Sequence, residues 1–314
     1  MSDAQTQALG EIWIDPNKRS VQVSVPSNIP TLAPGLYLVA TPIGSARDIT
    51  LRALDVLTAA NILVAEDTRS LRRLLSIHSI GVGNRPIIAY HDHSTEDLRR
   101  RLIQSISEGK SVAYTADAGM PLIADPGFDL VQTTTAAEHL VTVVPGASAS
   151  LSALVLSGLP SDSFFFGGFL PKQQAARRAR LETLTNVPGT LIFFESAKRV
   201  QSTITDARGV FGGARKAAIS REITKKYEEV LRGSLLQLES QLTQRTLRGE
   251  LALLIDRAPA SEDGDDAELI ASLQTALKTL SVRDAAEVVA EAASVPRRRV
   301  YRLALDLLDR TDNS

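Results

Sequence analysis

The chain has 314 residues, more than one ordinary core holds, so the length predicts two domains with an appendage. Its 44% hydrophobic and 23% charged residues are globular proportions and exclude wholesale disorder, and the absence of cysteine excludes disulfides, thiolate metal sites and a cysteine nucleophile. With 35 Lys+Arg against 36 Asp+Glu the formal charge is −1, so any nucleic-acid binding has to rest on local basic patches.

Residues 1–33 read as an N-terminal extension. Within it, Glu11–Ile14 and Val21–Val25 flank Asp15-Pro16-Asn17-Lys18, the pattern of a small hairpin. Charges and Pro stand where a signal peptide would need an apolar stretch, and no apolar run is long enough to span a membrane, which predicts a cytoplasmic protein with no membrane partner.

From Gly35 onward, short apolar runs alternate with helical patterns. Strands are expected at 36–40, 62–65, 86–90, 111–115 and 141–144, with helices at 51–59, 71–77, 95–107 and 127–137. This alternation predicts an α/β domain over 34–145, its mostly parallel sheet covered by helices on both faces. After Pro145-Gly146 a second domain, 146–258, is expected. Its helices fall at 148–157, 173–184 and near 200–207, and its strands at 164–166, 190–194, 216–220, 228–232 and 250–256. The last strands follow one another closely, which predicts a mixed sheet. Residues 259–314 open on an acidic, Pro/Gly-containing linker. Two amphipathic helices follow, one capped by Ser281 with Asp284 and one beginning near Pro296, in the outline of a helix-turn-helix.

Several loops follow strands, where open α/β sheets bind ligands. Thr41-Pro42-Ile43-Gly44 is neither a dinucleotide fingerprint nor a P-loop. Asp117-Ala118-Gly119-Met120-Pro121 continues to Asp125-Pro126-Gly127, and its small residues admit a ligand close to the main chain while an Asp accepts hydrogen bonds. Helix capping explains Asp125 but not Asp117. Ser148 and Ala149 open a helix whose first N–H groups face outward. Glu66-Asp67 and Arg69 follow one strand, and His91-Asp92-His93 follow another. Two imidazoles two residues apart suggest a metal, but no third ligand of matching spacing is evident, so no metal is expected. Basic residues gather in three groups: Arg177, Arg178 and Arg180; Arg221, Lys225 and Lys226; Arg297, Arg298, Arg299 and Arg302. Such groups are usually solvated faces, yet three of them in a chain of balanced charge point toward a phosphate-rich partner.

Taken in order, these motifs go further: Leu36–Gly44 with Asp48-Ile49-Thr50, Ala65–Arg69, Asp117–Gly127, Val144-Pro145-Gly146, Ser157-Gly158-Leu159-Pro160, Gly168-Phe169-Leu170-Pro171 and Arg221-Glu222-x-Thr224-Lys225. The set closely resembles the ribosomal RNA small subunit methyltransferase I family, of the tetrapyrrole-methylase-like (class III) enzymes, over about residues 34–257 plus the helical tail. The resemblance implies a two-domain class III methyltransferase with S-adenosyl-L-methionine in the cleft between its domains. It implies 2′-O-methylation of cytidine 1402 in the decoding region of 16S rRNA, a homodimer, and the small ribosomal subunit as partner. It places Pro42, Ile43, Gly44, Asp117, Gly119, Met120, Ser148, Ala149, Leu170 and Ala252 against the donor. The sequence departs from the family pattern at Met120 (for Thr), Ser45-Ala46 (for Asn-Leu), His91–Ser94 (for His-Glu-His-Asn) and Ala197-Lys198-Arg199 (for Pro-His-Arg). For the chemistry, Glu66, Asp67 and His91 are candidate bases, and Arg69 a phosphate ligand or a clamp on the carboxylates. The rival readings are a tetrapyrrole methyltransferase of the same fold and a non-catalytic RNA-binding assembly protein.

Overall fold

The computed structural model describes residues 31–91, 94–243, 245–258 and 266–312. The hairpin expected before Val25, most of the acidic linker, and Asp92 and His93 lie outside the described residues. Two compact units are present, divided after Ala147, with the tripeptide Ile43–Ser45 belonging to the second.

In the first unit β1 (Gly35–Val39), β2 (Ile62–Ala65), β3 (Ile87–Ala89), β4 (Ser111–Thr115) and β5 (Val141–Val144) form a parallel sheet in the order β3-β2-β4-β1-β5. Helices α1 (Leu51–Ala59), α2 (Thr68–Ile77), α3 (Glu96–Ser107) and α4 (Phe128–Ala136) connect the strands. Alternate strand residues face opposite ways. Tyr37, Val39, Leu63, Ala65 and Ala113 pack with Val56 and Leu57 of α1 and Leu71 and Leu75 of α2. Leu36, Ile62, Val64, Val112 and Tyr114 pack with Leu102 and Ile106 of α3 and Leu130 of α4. Both faces are covered, which is why the strands read as continuous apolar runs. Thr50 and Thr95 cap α1 and α3, each accepting the N–H three residues on, at 3.1 and 3.3 Å.

The second unit holds α5 (Ala149–Ser157), β6 (Phe164–Phe169), α6 (Gln174–Glu182), β7 (Thr190–Ser196), α7 (Val200–Phe211), β8 (Lys216–Arg221), β9 (Glu229–Ser234), α8 (Leu235–Thr243) and β10 (Glu250–Ile255). The sheet order is β6-β7-β10-β8-β9, with only β6 and β7 parallel, the mixed arrangement the closely spaced strands predict. Leu191, Phe193, Ala217, Ile219, Leu251 and Leu253 face α6, α7 and α8. Helix α8, absent from the sequence reading, buries Leu235, Leu238 and Leu242. Its start carries a capping box that the sequence reading passed over: Ser234 Oγ accepts the Gln237 N–H at 3.2 Å, and Gln237 Oε1 accepts the Ser234 N–H at 2.8 Å.

The C-terminal part is three helices rather than two: α9 (Asp266–Ala276), α10 (Val282–Ala293) and α11 (Arg297–Asp312) around Leu273, Ala285, Val289, Val300 and Ala304. Helix α9 was hidden because its buried stripe, Leu269 and Leu273, is short and abuts an acidic segment. Ser281 caps α10 as expected, accepting from the Asp284 N–H at 3.2 Å and donating to its carboxylate at 2.7 Å.

Candidate active site and nucleic-acid interface

The strand order of the first sheet sets β2, β4 and β1 side by side, so the loops that leave their carboxyl ends start as neighbours. Thr41 and Gly119 exchange two main-chain hydrogen bonds, N to O at 2.9 Å and back at 3.0 Å. The Thr41 hydroxyl donates to the Ala116 carbonyl at 3.3 Å. The Asp67 N–H donates to Asp117 Oδ1 at 3.0 Å. Three candidate loops are thereby stitched into one rim in which Asp117 is exposed and Gly119 buried. The segment after Met120 is strained: Leu122 and Ala124 adopt φ of 72° and 65°, and the buried Tyr114 hydroxyl fastens it by donating to the Pro126 carbonyl at 2.6 Å. Non-glycine residues hold such a conformation only where their surroundings enforce it, and they concentrate at functional sites.

Asp67 is the N-cap of α2 and accepts from the Arg69 N–H at 2.8 Å. Its carboxylate also takes Arg69 Nη2 at 2.7 Å and Nε at 3.1 and 3.2 Å. The side-chain hydrogen bond from Arg69, then that from its backbone, lowers the Asp67 pKa to about 2. A carboxylate so stabilised is a poor proton acceptor, and the structure shows Asp67 as the cap of α2. Arg69 holds the Asp67 carboxylate while its side chain stays 90% exposed. Glu66 is half-buried and His91 exposed. They leave neighbouring strand ends: Ala65 pairs with Ala89, and Glu66 and His91 lie one and two residues beyond that pair. The His91 N–H donates to Ser94 Oγ at 2.8 Å.

In the second unit Ser148 caps α5, accepting the Leu151 N–H at 3.5 Å. Leu170 and Ala252 are 2% and 3% exposed. Ala252 lies opposite Ser220, whose buried hydroxyl has no hydrogen-bond partner. Sequence reasoning missed what holds Leu170. Arg199 Nη2 donates to the Leu170 and Pro171 carbonyls at 2.8 and 3.0 Å, and Glu195, 3% exposed, pairs with it at 3.3 Å. No helical spacing announces this pair, since Glu195 lies near the end of β7 and Arg199 is the N-cap of α7.

The basic residues separate by burial. Arg177 is corrected from an RNA contact to a core residue: it is 4% exposed, and its Nη2 meets Asp206 Oδ2 at 2.6 Å. A side chain inside the fold has no face to offer a phosphate. Arg221 is likewise engaged, with Glu229 at 3.1 Å and the Arg248 carbonyl at 2.7 Å. Lys225 bridges Glu222 at 3.1 Å and Glu250 at 2.8 Å. Both are paired with carboxylates and partly exposed. Arg178, Arg180, Lys226, Arg298 and Arg302 are exposed; Arg297 is exposed but pairs with Glu287 at 3.1 Å, and Arg299 is half-buried. Among the described residues no cluster of three or more His, Cys, Asp or Glu has the arrangement of a metal site, and no helix is long and apolar enough to cross a membrane.

The folded units match known methyltransferase structures. A cobalamin biosynthetic enzyme, cobalt precorrin-4 methyltransferase, superposes with TM-score 0.54 at 14% identity over 70% of this chain and 94% of its own. The methyltransferase CobJ gives TM-score 0.53 at 16% identity over 73% and 97%. At these identities the likeness speaks for the fold, that of the class III methyltransferases.

The sequence matches the family of tetrapyrrole (corrin/porphyrin) methylases over residues 35–239 and the RsmI C-terminal HTH domain over 263–308. Ribosomal RNA small subunit methyltransferase I of Mesorhizobium japonicum is 42% identical over 92% of this chain and 96% of its own length. The proteins of that name from Xylella fastidiosa and Bacillus subtilis are 41% and 35% identical, each over 85% of this chain and 97% and 92% of their own. The chain belongs to the ribosomal RNA small subunit methyltransferase I family.

Proposed function

We propose that the protein transfers a methyl group from S-adenosyl-L-methionine to the 2′-oxygen of a cytidine ribose, cytidine 1402, in the decoding region of 16S rRNA. The coarser part of this reading, an rRNA methyltransferase of the tetrapyrrole methylase family, follows from membership. The observation that supports a working site is the rim built by the Thr41–Gly119 exchange and the Asp67–Asp117 bond. When bound, the donor supplies a methyl group already activated on a sulfonium.

What this chain adds is placement and a proton acceptor. Main-chain groups around Gly119 and the Asp117 carboxylate offer partners to hydroxyls and an ammonium. Pro42, Ile43, Gly44, Met120, Ser148, Ala149, Leu170 and Ala252 complete the donor contacts in this reading. Glu66 or His91 accepts the 2′-hydroxyl proton, while Asp67 and Arg69 fix the loop between them. The exposed Arg178, Arg180, Lys226, Arg298 and Arg302 grip the RNA backbone, so binding weakens as salt rises. The enzyme works as a homodimer on small ribosomal subunits in the cytoplasm.

A non-catalytic assembly protein would have no use for the strained 120–127 segment, and the exposed Arg298 and Arg302 lie in the part that matches the RsmI C-terminal HTH domain, outside the tetrapyrrole methylase match. An RNA carrying a 2′-deoxycytidine at the target position tests the chemistry: methyl transfer there should vanish. Undiminished transfer to the deoxy substrate would move the reaction to the base and refute the proposal.

A further inference from the structure

The Arg221-Glu222-x-Thr224-Lys225 motif contributes less charge to the surface than its composition suggests, because Arg221 and Lys225 are paired within the fold. Its backbone is unusual instead. Glu222 and Thr224 have φ of 49° and 63°, two left-handed side-chain-bearing residues within three positions. The turn is held from several sides. Glu222 Oε1 accepts the Glu250 N–H at 3.0 Å, and the Thr224 N–H donates to Glu228 Oε2 at 2.6 Å. Gly249, with φ of 90°, leaves room for Glu222: a Cβ there would come within 2.4 Å of its carboxyl carbon.

The product of this strain is one contact. Thr224 Oγ1 accepts the Ser45 N–H at 3.0 Å. A Cβ on Gly44 would lie 2.5 Å from that Oγ1 and 2.8 Å from the Ile223 carbonyl. The tripeptide Ile43–Ser45 thus rests directly on the turn, with glycine required at the closest approach. Strain of this kind persists where it serves a site.

We infer that Thr224 is a positioning residue, whose hydroxyl, held in place by the strained 222–225 turn, fixes the Pro42-Ile43-Gly44 loop for donor binding. The inference rests on the reading that this loop faces the donor. The test is calorimetric titration of the full-length protein with S-adenosylmethionine, alongside RNA affinity and thermal midpoint.

Thr224→Val removes the acceptor at constant shape and should raise the donor Kd about tenfold while RNA affinity stays within twofold. Thr224→Ser should restore donor binding. Thr224→Gly removes both the hydroxyl and the left-handed strain, so its midpoint should hold or rise while its donor Kd rises as for Val. A purely structural residue would move midpoint and affinity together. Wild-type donor affinity in Thr224→Val, or loss of affinity only in proportion to loss of midpoint, overturns the inference. Gly44→Ala separates the underlying reading: wild-type donor affinity in that variant shows that the loop does not face the donor, and both fall.

Discussion

Replacing Asp206 by Asn leaves Arg177 as a buried cation without its counter-charge. The pair is closed to solvent, with side chains 5% and 1% exposed, and Gln174 adds a hydrogen bond to Asp206 at 3.0 Å. Breaking one partner of such a pair costs about 3–5 kcal/mol. That is roughly a third of the 5–15 kcal/mol that stabilises a typical domain, and two to nearly four decades in the folding equilibrium. Urea unfolding of the full chain followed by circular dichroism should therefore show a midpoint far below wild type for Asp206→Asn. The double variant Arg177→Met/Asp206→Leu should regain most of the loss, because an apolar pair carries no desolvation cost. The RNA-binding readout separates the two arginines. Arg178→Ala, on the exposed face, should reduce the slope of log affinity against log salt by about 1 and change stability by less than about 0.5 kcal/mol. The double variant, once folded, should keep the wild-type slope. Wild-type unfolding of Asp206→Asn, together with a reduced salt slope in the double variant, would refute the assignment of Arg177 to the core.

Asp67→Asn should leave the shape of the pH–rate curve unchanged between pH 5 and 9. The folded-state pKa, lowered to about 2 from 3.8, makes the contribution of the Asp67 carboxylate to stability fully present above the unfolded value, and it is lost only as pH falls through about 2. Disappearance of a limb near neutrality would return Asp67 to the role of base. Glu66→Ala and His91→Ala distinguish the remaining candidates: the true base should lose turnover by a factor of about 100 or more with donor Kd unchanged, and parallel loss of donor binding would sink the assignment. Arg85→Met should cost about 2 kcal/mol in denaturant unfolding, since its guanidinium donates to the carbonyls of Leu57, Thr58, Ala60, Gly81 and Val82, closing the C-terminal end of α1. A change below about 0.5 kcal/mol would show those carbonyls to be served equally well by water.

Strands buried on both faces announce themselves as apolar runs, so the first sheet could be read directly from Leu36–Ala40, Ile62–Ala65 and Ser111–Thr115. Caps were legible for the same local reason, as at Thr50 and Ser281. Helix α9 escaped because it buries too few residues to show a stripe, whereas α8 carried a local signal, the Ser234–Gln237 capping box, that was passed over. At the site, strand ends identified the loops around Thr41, Glu66 and Asp117, but not the bonds that stitch them, since those depend on sheet order. The largest gap concerned charge. Sequence treats Arg177 and Arg178 alike, whereas one turns into the core toward Asp206 and the other outward. In the 221–225 motif it weighed the charges and passed over Thr224, whose importance lies in a backbone conformation that composition does not reveal.

Methyl transfer from S-adenosylmethionine to small ribosomal subunits, with the product located by nucleoside mass spectrometry, tests the central claim most directly. The expected product is a single 2′-O-methylcytidine at position 1402 of 16S rRNA, absent when Glu66 and His91 are both replaced. No transfer to the subunit or to protein-free 16S rRNA, with transfer instead to a tetrapyrrole macrocycle, would contradict it.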